Sequence, residues 1–199
     1  MFHLTTIGFV RHGVTAWNKE GRAQGSSDIP LDEEGIEMAE HVAKRIVGEQ
    51  WDVIYTSPLI RAKKTAEIIA EGKPAIKLLE DNRLREFGGG QIEGTTEVER
   101  LEKWGPTWRE MELGVEPNED IISRGMAFVE DMKVTHAGQR VLVVSHGGFI
   151  KRLVGALVPG EKLGEKMDNT SLTVVELRDD ENMCSLYNCT KHLVLTNRI

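Results

Sequence analysis

Apolar and polar residues follow two different spacings along the chain, and these spacings predict strands and helices that alternate. Short apolar runs predict a hairpin over 171–189 and strands over residues 6–12, 52–57, 75–80 and 140–148, the last of which runs into a glycine turn. Apolar side chains three or four positions apart predict helices over 32–50, 57–70, 119–136 and 148–158. Residues 81–118 are predicted to be irregular, and residues 190–199 favour neither structure. This order of elements indicates an α/β fold.

Capping residues mark the starts of two of these helices. Asp32 is followed by Glu33 and Glu34, and carboxylates are favourable at the cap and in the first turn of a helix. Ser57 is followed by Pro58, and proline is favoured at the first helical position. The sequence therefore predicts that helices begin directly after Asp32 and Ser57.

Length and composition indicate a single globular domain over residues 1–199. Hydrophobic residues make up 40% of the 199 positions and charged residues 29%, which is an ordinary balance for such a domain. No apolar run approaches the roughly 20 residues needed to cross a bilayer, and we expect no secretory signal. Cys184 and Cys189 lack the spacing of a zinc site or a disulfide framework, so we expect thiols and a cytoplasmic protein.

The formal net charge of −7 restricts the partners that the chain is expected to bind. It argues against a general nucleic-acid-binding face, because such faces are basic. It is compatible with a small anionic substrate, since salt screens charges over roughly 8–10 Å and local groups then control a pocket. We therefore expect a small-molecule partner, with no nucleic acid and no membrane, and the sequence does not specify an oligomeric state.

Three predicted strands end in polar residues that suit one shared site. The first ends in Arg11-His12-Gly13, and a later one ends in Ser145-His146-Gly147-Gly148. The strand over 52–57 leads into a helix that carries Arg61 near its start. A histidine, an arginine or a glycine pair in such a place is usually structural when it occurs alone. Because ligands bind at the carboxyl ends of parallel strands, the joint occurrence favours a binding site at one edge of the sheet.

Phosphate chemistry suits this set of residues. Arginine presents a rigid fork of donors that matches phosphate oxygens. Backbone N–H groups near Gly147, at the start of a helix, favour an anion. Imidazole attacks phosphorus and becomes covalently phosphorylated. The metal motifs DxDxDG and HExxH and the nucleotide motif GxxxxGK[ST] are all missing from the sequence, so we expect no metal and no cofactor.

Four blocks of sequence, in order along the chain, resemble the histidine phosphatase superfamily, the phosphoglycerate mutase-like group. The blocks are FVRHGVTAWNKEGRAQGSSDIPLDEEG, YTSPLIRAKKTAEIIA, RLREFGGGQIEG and VLVVSHGGFIKRL. The resemblance covers most of the chain. It implies a three-layer α/β fold in which a mixed, mostly parallel sheet is flanked by helices on both faces.

The resemblance also implies roles for individual residues. His12 would be the nucleophile that becomes phosphohistidine, Glu86 would be the proton donor, and the transferring phosphoryl group would be bound by Arg11, Arg61 and His146. Asn18 would make a further phosphate contact, and the remaining substrate-binding positions would be Gln24, Gly25 and Gly147. Because neighbouring cations disfavour protonation of an imidazole, His12 is expected to be neutral and able to attack.

Function is left with three alternatives at this point. The first is a phosphomonoesterase that acts on a small phosphorylated metabolite, and the second is a cofactor-dependent phosphoglycerate mutase that uses the same phosphohistidine. The family's mutases are generally longer, with extra segments in the middle and at the C-terminus, so the resemblance favours hydrolysis. A non-catalytic module that binds phosphorylated ligands is the third. It is disfavoured because the nucleophile and its partners are all present.

Other residues carry weaker expectations. Glu93 lies in the same block as Glu86 and is a rival for the role of proton donor. Trp104 and Trp108 either line the pocket or cap a small core. His136 and His192 have no partner motif, so a structural or solvated role is expected for both. Residues 81–118 form the segment that is expected to vary with the substrate, and Ile92 stands where the family often has an aromatic residue.

Overall fold

The computed structural model describes residues 4–160, 163–164, 166–178 and 180–194. Within these residues the strands are β1 (Thr5–Arg11), β2 (Val53–Thr56), β3 (Lys77–Glu80), β4 (Arg140–Ser145), β5 (Leu172–Leu177) and β6 (Met183–Cys189). The helices are α1 (Ala16–Glu20), α2 (Glu33–Val47), α3 (Ile60–Glu71), α4 (Glu97–Trp104), α5 (Asn118–Thr135), α6 (Gly147–Leu157) and α7 (Lys191–Val194). Short 3-10 turns cover Asn82–Leu84, Gly90–Ile92 and Trp108–Glu110.

The strands form one mixed sheet in the order β3-β2-β4-β1-β5-β6. The first four in this order are parallel to one another, and β5 and β6 are antiparallel additions at one side. β1 and β4 are central neighbours and end level with each other, since Arg11 lies opposite Ser145. The predicted α/β fold with a mostly parallel sheet and a C-terminal hairpin is confirmed.

Helices cover both faces of the sheet, because the central strands present apolar side chains alternately to each side. Ile7 and Phe9 of β1 face a core that includes Phe128 of α5 and Leu153 of α6. Val10 faces the opposite core, which is built from α2 and α3. Because the central strands are buried on both faces, they read as continuous apolar runs in the sequence.

Residues 81–118 were predicted to be irregular, and this prediction is wrong for α4. α4 begins at a capping box in which the Thr96 side chain accepts from the N–H of Glu99, and the Glu99 carboxylate accepts from the N–H of Thr96. Arg100 is the buried residue of this helix, whereas Val98 and Leu101 are exposed. An inward-facing stripe of apolar residues is the pattern that predicts a helix, and α4 does not have one.

The predicted start of the helix after Ser57 is also wrong. α3 begins at Ile60, because the Ser57 hydroxyl accepts from the N–H of Leu59 and so forms a turn before the helix. The carboxylate of Asp28 accepts from the N–H of Ile60 at 2.6 Å and caps the helix from a distant loop. By contrast, Asp32 caps α2 as predicted, with its side chain accepting from the N–H of Gly35.

The sequence also led to expectations for the cysteines, for membrane-spanning helices and for the C-terminal stretch. Both cysteines are thiols, with Cys184 half-buried and Cys189 buried. In the described ranges, no helix is both long enough and apolar enough to span a membrane. The ambiguous C-terminal stretch forms α7 as far as Val194, and residues 195–199 lie outside the described residues.

Two glycines let the turn after β1 cross the start of α2. A Cβ on Gly35 would lie 2.0 Å from the carbonyl oxygen of Val14, and a Cβ on Gly13 would lie 2.3 Å from the carbonyl oxygen of Gly35. Both contacts are with backbone atoms, which have little freedom to move aside. The close crossing fixes the turn that follows His12 against a long, well-packed helix.

Replacement of Gly35 should therefore destabilise the fold. We expect Gly35→Ala to lower the free energy of unfolding by about 1–3 kcal/mol, the usual cost of overpacking. Gly48→Ala is the matched control at the C-cap of the same helix, because Gly48 has a right-handed helical conformation and its Cβ would lie 3.5 Å from the nearest atom. Urea unfolding of both variants measures the difference, and equal effects would contradict this account of the crossing.

Candidate active site

Parallel pairing of β1 with β4 places the two predicted histidines side by side. Each of these strands is followed directly by a histidine, and the N–H of His12 donates to the carbonyl of Ser145 at 3.0 Å. The ring centres of His12 and His146 are 5.2 Å apart, and both side chains are buried. The expected meeting of the strand ends is confirmed.

The His12 imidazole is held in one tautomer. Its Nδ1 lies 2.7 Å from the carbonyl oxygen of Gly13. Because a carbonyl only accepts hydrogen bonds, Nδ1 carries the proton and Nε2 keeps its lone pair. Burial lowers the pKa of His12 well below its ordinary value, and the charges of Arg11 and Arg61 lower it further. His12 is therefore expected to be a neutral imidazole in which Nε2 carries the lone pair.

His146 is oriented by Ser57. Its Nε2 lies 2.8 Å from the Ser57 hydroxyl, whose oxygen also accepts from the N–H of Leu59. Nδ1 of His146 is buried and has no hydrogen-bond partner among the described residues. Burial lowers the pKa of His146 well below its ordinary value, with Arg61 and His12 adding to the shift. If the Ser57 hydroxyl donates to Nε2, the neutral ring carries its proton on Nδ1.

The two arginines are anchored by backbone carbonyls rather than by carboxylates. Arg61 is 1% exposed and donates to the carbonyls of Gly25 and Ser27 at 2.8 and 2.7 Å. Burial lowers the pKa of Arg61 to about 10. Arg11 donates to the carbonyl of Met167, and burial lowers the pKa of its guanidinium too. In both residues Nε is buried and lacks a partner among the described residues.

The side chain of Glu86 lies against the first turn of α6. One carboxylate oxygen accepts from the N–H of Gly148 at 3.0 Å, and the other accepts from the N–H of Phe87 at 3.1 Å. These two N–H donors hold the Glu86 side chain in one place beside the cavity. The sequence predicted that backbone N–H groups near Gly147 bind an anionic ligand. One of these groups, the N–H of Gly148, binds Glu86 instead.

These side chains surround a cavity of about 210 Å³. It is lined by Arg11, His12, Asn18, Arg22, Ala23, Gln24, Gly25, Arg61, Glu86, Phe87, Gly89, Ile92 and Gly148. Of the predicted site residues, His146 and Gly147 are not among the lining residues. His146 packs against His12, and Gly147 lies against the Arg11 side chain, where a Cβ would be 3.1 Å from Nε.

Two further predicted residues combine a structural contact with a place in the cavity. Asn18 forms a capping box with Thr15 at the start of α1, and its Oδ1 also accepts from the side-chain amide of Asn169. Gln24 is buried, and its Oε1 has no hydrogen-bond partner among the described residues. The unpaired carbonyl makes Gln24 the better placed of the two to contact a ligand.

The structure separates Glu93 from Glu86. The Glu93 carboxylate accepts from the N–H groups of Ser26 and Gly89 and from the hydroxyl of Ser27. Burial alone raises the pKa of Glu93, but these hydrogen bonds outweigh it and lower the pKa. Glu93 therefore holds the loop that carries Gly25 and is not a cavity-lining acid.

The aromatic and histidine alternatives are also resolved. Trp108 is buried and packs with Trp104 in a small apolar cluster completed by Ala23, Ile92 and Leu113, so the two tryptophans cap a small core. His136 contacts the hydroxyl of Tyr55, and His192 contacts the hydroxyl of Thr170. Both histidines therefore make structural contacts, which was one of the two expected alternatives.

Sequence reasoning missed two residues that position the site. Asp28 caps α3 and so fixes the helix that carries Arg61, while Ser57 orients His146. Both contacts join residues far apart in the chain. Ser57 was instead interpreted as a local helix cap, and its partner became visible only when β2 and β4 were placed side by side.

The site combines a neutral imidazole with unpaired buried nitrogens on two arginines and a second histidine, an arrangement that suits the transfer of a phosphoryl group through histidine. No group of three or more potential metal ligands occurs in the part of the chain that the structure describes. Residues 7–190 match the profile of the histidine phosphatase superfamily (branch 1). The chain belongs to this superfamily.

Several relatives are similar to this chain over most of its length. A metal-independent phosphoserine phosphatase from Arabidopsis thaliana is 32% identical and covers 96% of this chain and 84% of its own. A probable phosphoglycerate mutase from Photorhabdus laumondii is 36% identical over 76% of this chain and 74% of its own. The solved structure of a mycobacterial glucosyl-3-phosphoglycerate phosphatase with VO3 is 28% identical, has a TM-score of 0.84, and covers 93% of this chain and 99% of that one.

The neutral histidines of the site should make folding stability depend on pH. Unfolded imidazoles titrate near pH 6.5, whereas the folded pKa values of His12 and His146 lie well below that. Below about pH 6.5 the unfolded chain binds more protons, so the free energy of unfolding falls as the pH falls. We expect up to about 1.4 kcal/mol per pH unit for each histidine. Urea unfolding checks this, and an unchanged slope in His146→Gln would contradict it.

Proposed function

We propose that this protein is a phosphomonoesterase that hydrolyses small phosphorylated metabolites through a phosphohistidine intermediate on His12. One observation carries the proposal. Three buried nitrogens without partners, Nε of Arg11, Nε of Arg61 and Nδ1 of His146, belong to the residues that surround the His12 imidazole. The two arginine nitrogens are donors, and buried donors are normally satisfied, so we expect their common neighbour to be an anion that bears several acceptor oxygens.

In the first step Nε2 of His12 attacks phosphorus and the bond from phosphorus to the ester oxygen breaks. The equatorial oxygens carry spread negative charge in such a transition state. The guanidiniums of Arg11 and Arg61 stabilise that charge without reorganising, because backbone carbonyls already hold them. The leaving oxygen receives its proton from the carboxyl group of Glu86.

In the second step water attacks the phosphohistidine. Glu86, now ionised, takes a proton from the attacking water, and the bond between phosphorus and Nε2 breaks. Inorganic phosphate leaves and the neutral imidazole is restored. The contact of Nδ1 with the Gly13 carbonyl supports both steps, because it keeps the ring orientation and stabilises the positive charge on the phosphorylated ring.

The cavity supports a small substrate. Its volume of about 210 Å³ is below the roughly 300–1,000 Å³ of typical drug-sized sites. Phe87 and Ile92 supply apolar wall, and Gln24 supplies an unpaired polar group. We propose that residues 81–118 are the segment that selects the substrate. Phosphoserine and phosphoglycerate derivatives, named among the relatives, are the first compounds to test, and the two thiols are consistent with a cytoplasmic enzyme.

Hydrolysis is favoured over the mutase alternative. The relatives include enzymes named for both activities, and the phosphatase named above covers a larger share of this chain than the named mutase does. The two activities differ in whether water or a second substrate takes the phosphoryl group. An assay of a panel of phosphorylated metabolites for both released phosphate and isomerised product distinguishes them.

Replacement of the nucleophile should abolish turnover. We expect His12→Ala to lose hydrolysis of an aryl phosphate by at least about 10³-fold, since covalent catalysis needs the imidazole. His136→Ala is the control, because that histidine contacts Tyr55 and Gln139 outside the cavity. Retained activity in His12→Ala would overturn the proposal, and loss on treatment with a chelator would point to a metal.

Replacement of the proton donor should have an effect that depends on the leaving group. We expect Glu86→Gln to slow esters with poor leaving groups by about 10²–10⁴-fold and to affect activated aryl esters much less. Glu93→Gln is the matched control, since Glu93 holds the neighbouring loop but does not line the cavity. Its effect should be independent of the leaving group. Equal losses in Glu86→Gln for good and poor leaving groups would contradict the acid role.

A further inference from the structure

The turn 167–171 forms hydrogen bonds with the backbone of Arg11 and His12. The N–H of Thr170 donates to the carbonyls of Arg11 and His12 at 2.9 and 3.3 Å, and the side-chain amide of Asn169 donates to the carbonyl of His12 at 3.0 Å. The N–H of Arg11 donates in turn to the carbonyl of Ser171 at 3.2 Å. The carbonyl of His12 therefore accepts from two donors on one short turn, so the turn determines where this peptide lies.

Thr170 has a backbone conformation that it would not adopt alone. Its φ angle is +55°, in the left-handed region, where a β-branched residue is rarely found. Such a conformation costs on the order of 1–3 kcal/mol and persists only where the surroundings hold it. Thr170 is fully buried, so the contacts of its own side chain are among those that hold it. Without them the turn would relax, and the donors to His12 would move.

His192 supplies the side-chain contact. Its Nε2 lies 3.1 Å from the hydroxyl of Thr170. His192 belongs to α7, is 6% exposed and is outside the cavity. The reaction proposed above does not use it. α7 packs against α2, so this histidine joins a peripheral helix to the turn that holds the nucleophile.

We infer that His192 is a positioning residue for catalysis, acting through Thr170 to fix the backbone carbonyl of His12 and thereby the direction of its imidazole. The inference rests on the proposed role of His12. The ring direction depends on the backbone because Nδ1 bonds to the next carbonyl, that of Gly13. Attack on phosphorus is sensitive to such placement, and a shift of about 1 Å can cost roughly 10²-fold in rate.

A double-mutant cycle tests the contact through the rate of phosphoenzyme formation. His192→Phe keeps an aromatic ring and removes the hydrogen bond, and Thr170→Val keeps the shape and removes the hydroxyl. We expect each variant to lower the single-turnover rate with an aryl phosphate by about tenfold and to leave KM within about twofold. The double variant should lose no more than either single variant, because both remove the same contact.

Conservative variants separate positioning from general stability. His192→Gln and Thr170→Ser keep a polar contact and should recover the rate to within about threefold of the wild-type protein. His136→Phe is the control, since it removes another histidine contact, the partly buried one with Tyr55, and should leave the rate unchanged. Additive losses in the cycle, unchanged rates in both single variants, or no recovery in His192→Gln would overturn the inference.

A measurement that needs no activity keeps this inference separate from the proposed function. If the wild-type protein forms no phosphoenzyme, the proposed function fails. Amide hydrogen exchange still tests in that case whether the contact between His192 and Thr170 holds the turn 167–171 in place. We expect the amide of Thr170 to exchange at least about tenfold faster in His192→Phe than in the wild-type protein or in His192→Gln, because its acceptor carbonyls no longer hold it in place. Equal exchange rates of the Thr170 amide in all three proteins would show that the contact with His192 does not hold the turn.

Discussion

The properties of the site follow from one constraint, the burial of two guanidinium groups beside two imidazole rings. Arg61 is almost fully buried, Arg11 has a buried Nε, and no carboxylate forms a close ion pair with either guanidinium in the described residues. Desolvation of like-charged groups is unfavourable, and it acts on all four residues by lowering their pKa values. The histidines respond by remaining neutral, whereas the arginines stay charged. The site is therefore positive and incompletely satisfied, which is the condition that an oxyanion relieves.

The fold produces this arrangement through short backbone contacts. Parallel pairing of β1 and β4 brings the two histidines together, and Gly13 allows the chain to turn against α2. Carbonyls of the loop after α1 anchor Arg61, and Glu93 fixes that same loop. Because Arg11, Arg61 and His12 are held by backbone carbonyls and not by each other, their remaining nitrogens stay available for a ligand. The proposed contact of His192 with Thr170 differs from these, because it joins two side chains and acts on the backbone of His12 only through the turn 167–171.

The sequence predicted the central elements well because strong local patterns define them. Buried parallel strands give unbroken apolar runs, and the ends of β1 and β4 carried the residues that meet in the site. The short helix α4 escaped prediction because its buried residue is Arg100, although the Thr96–Glu99 capping box marked its start. The start of α3 and the contacts of Ser57 and Thr170 depend on residues distant in the chain. No local spacing encodes such contacts, so they needed the structure.

The central claim is that the unpaired nitrogens around His12 form a single oxyanion site in which Nε2 of His12 is the nucleophile. A crystal structure of this protein soaked with vanadate tests it most directly, since vanadate reproduces the geometry of a phosphoryl group under attack. We expect vanadium bonded to Nε2 of His12, with its oxygens accepting from Nε of Arg11, Nε of Arg61 and Nδ1 of His146. Vanadate bound away from His12, or bound without contact to these three nitrogens, would contradict it.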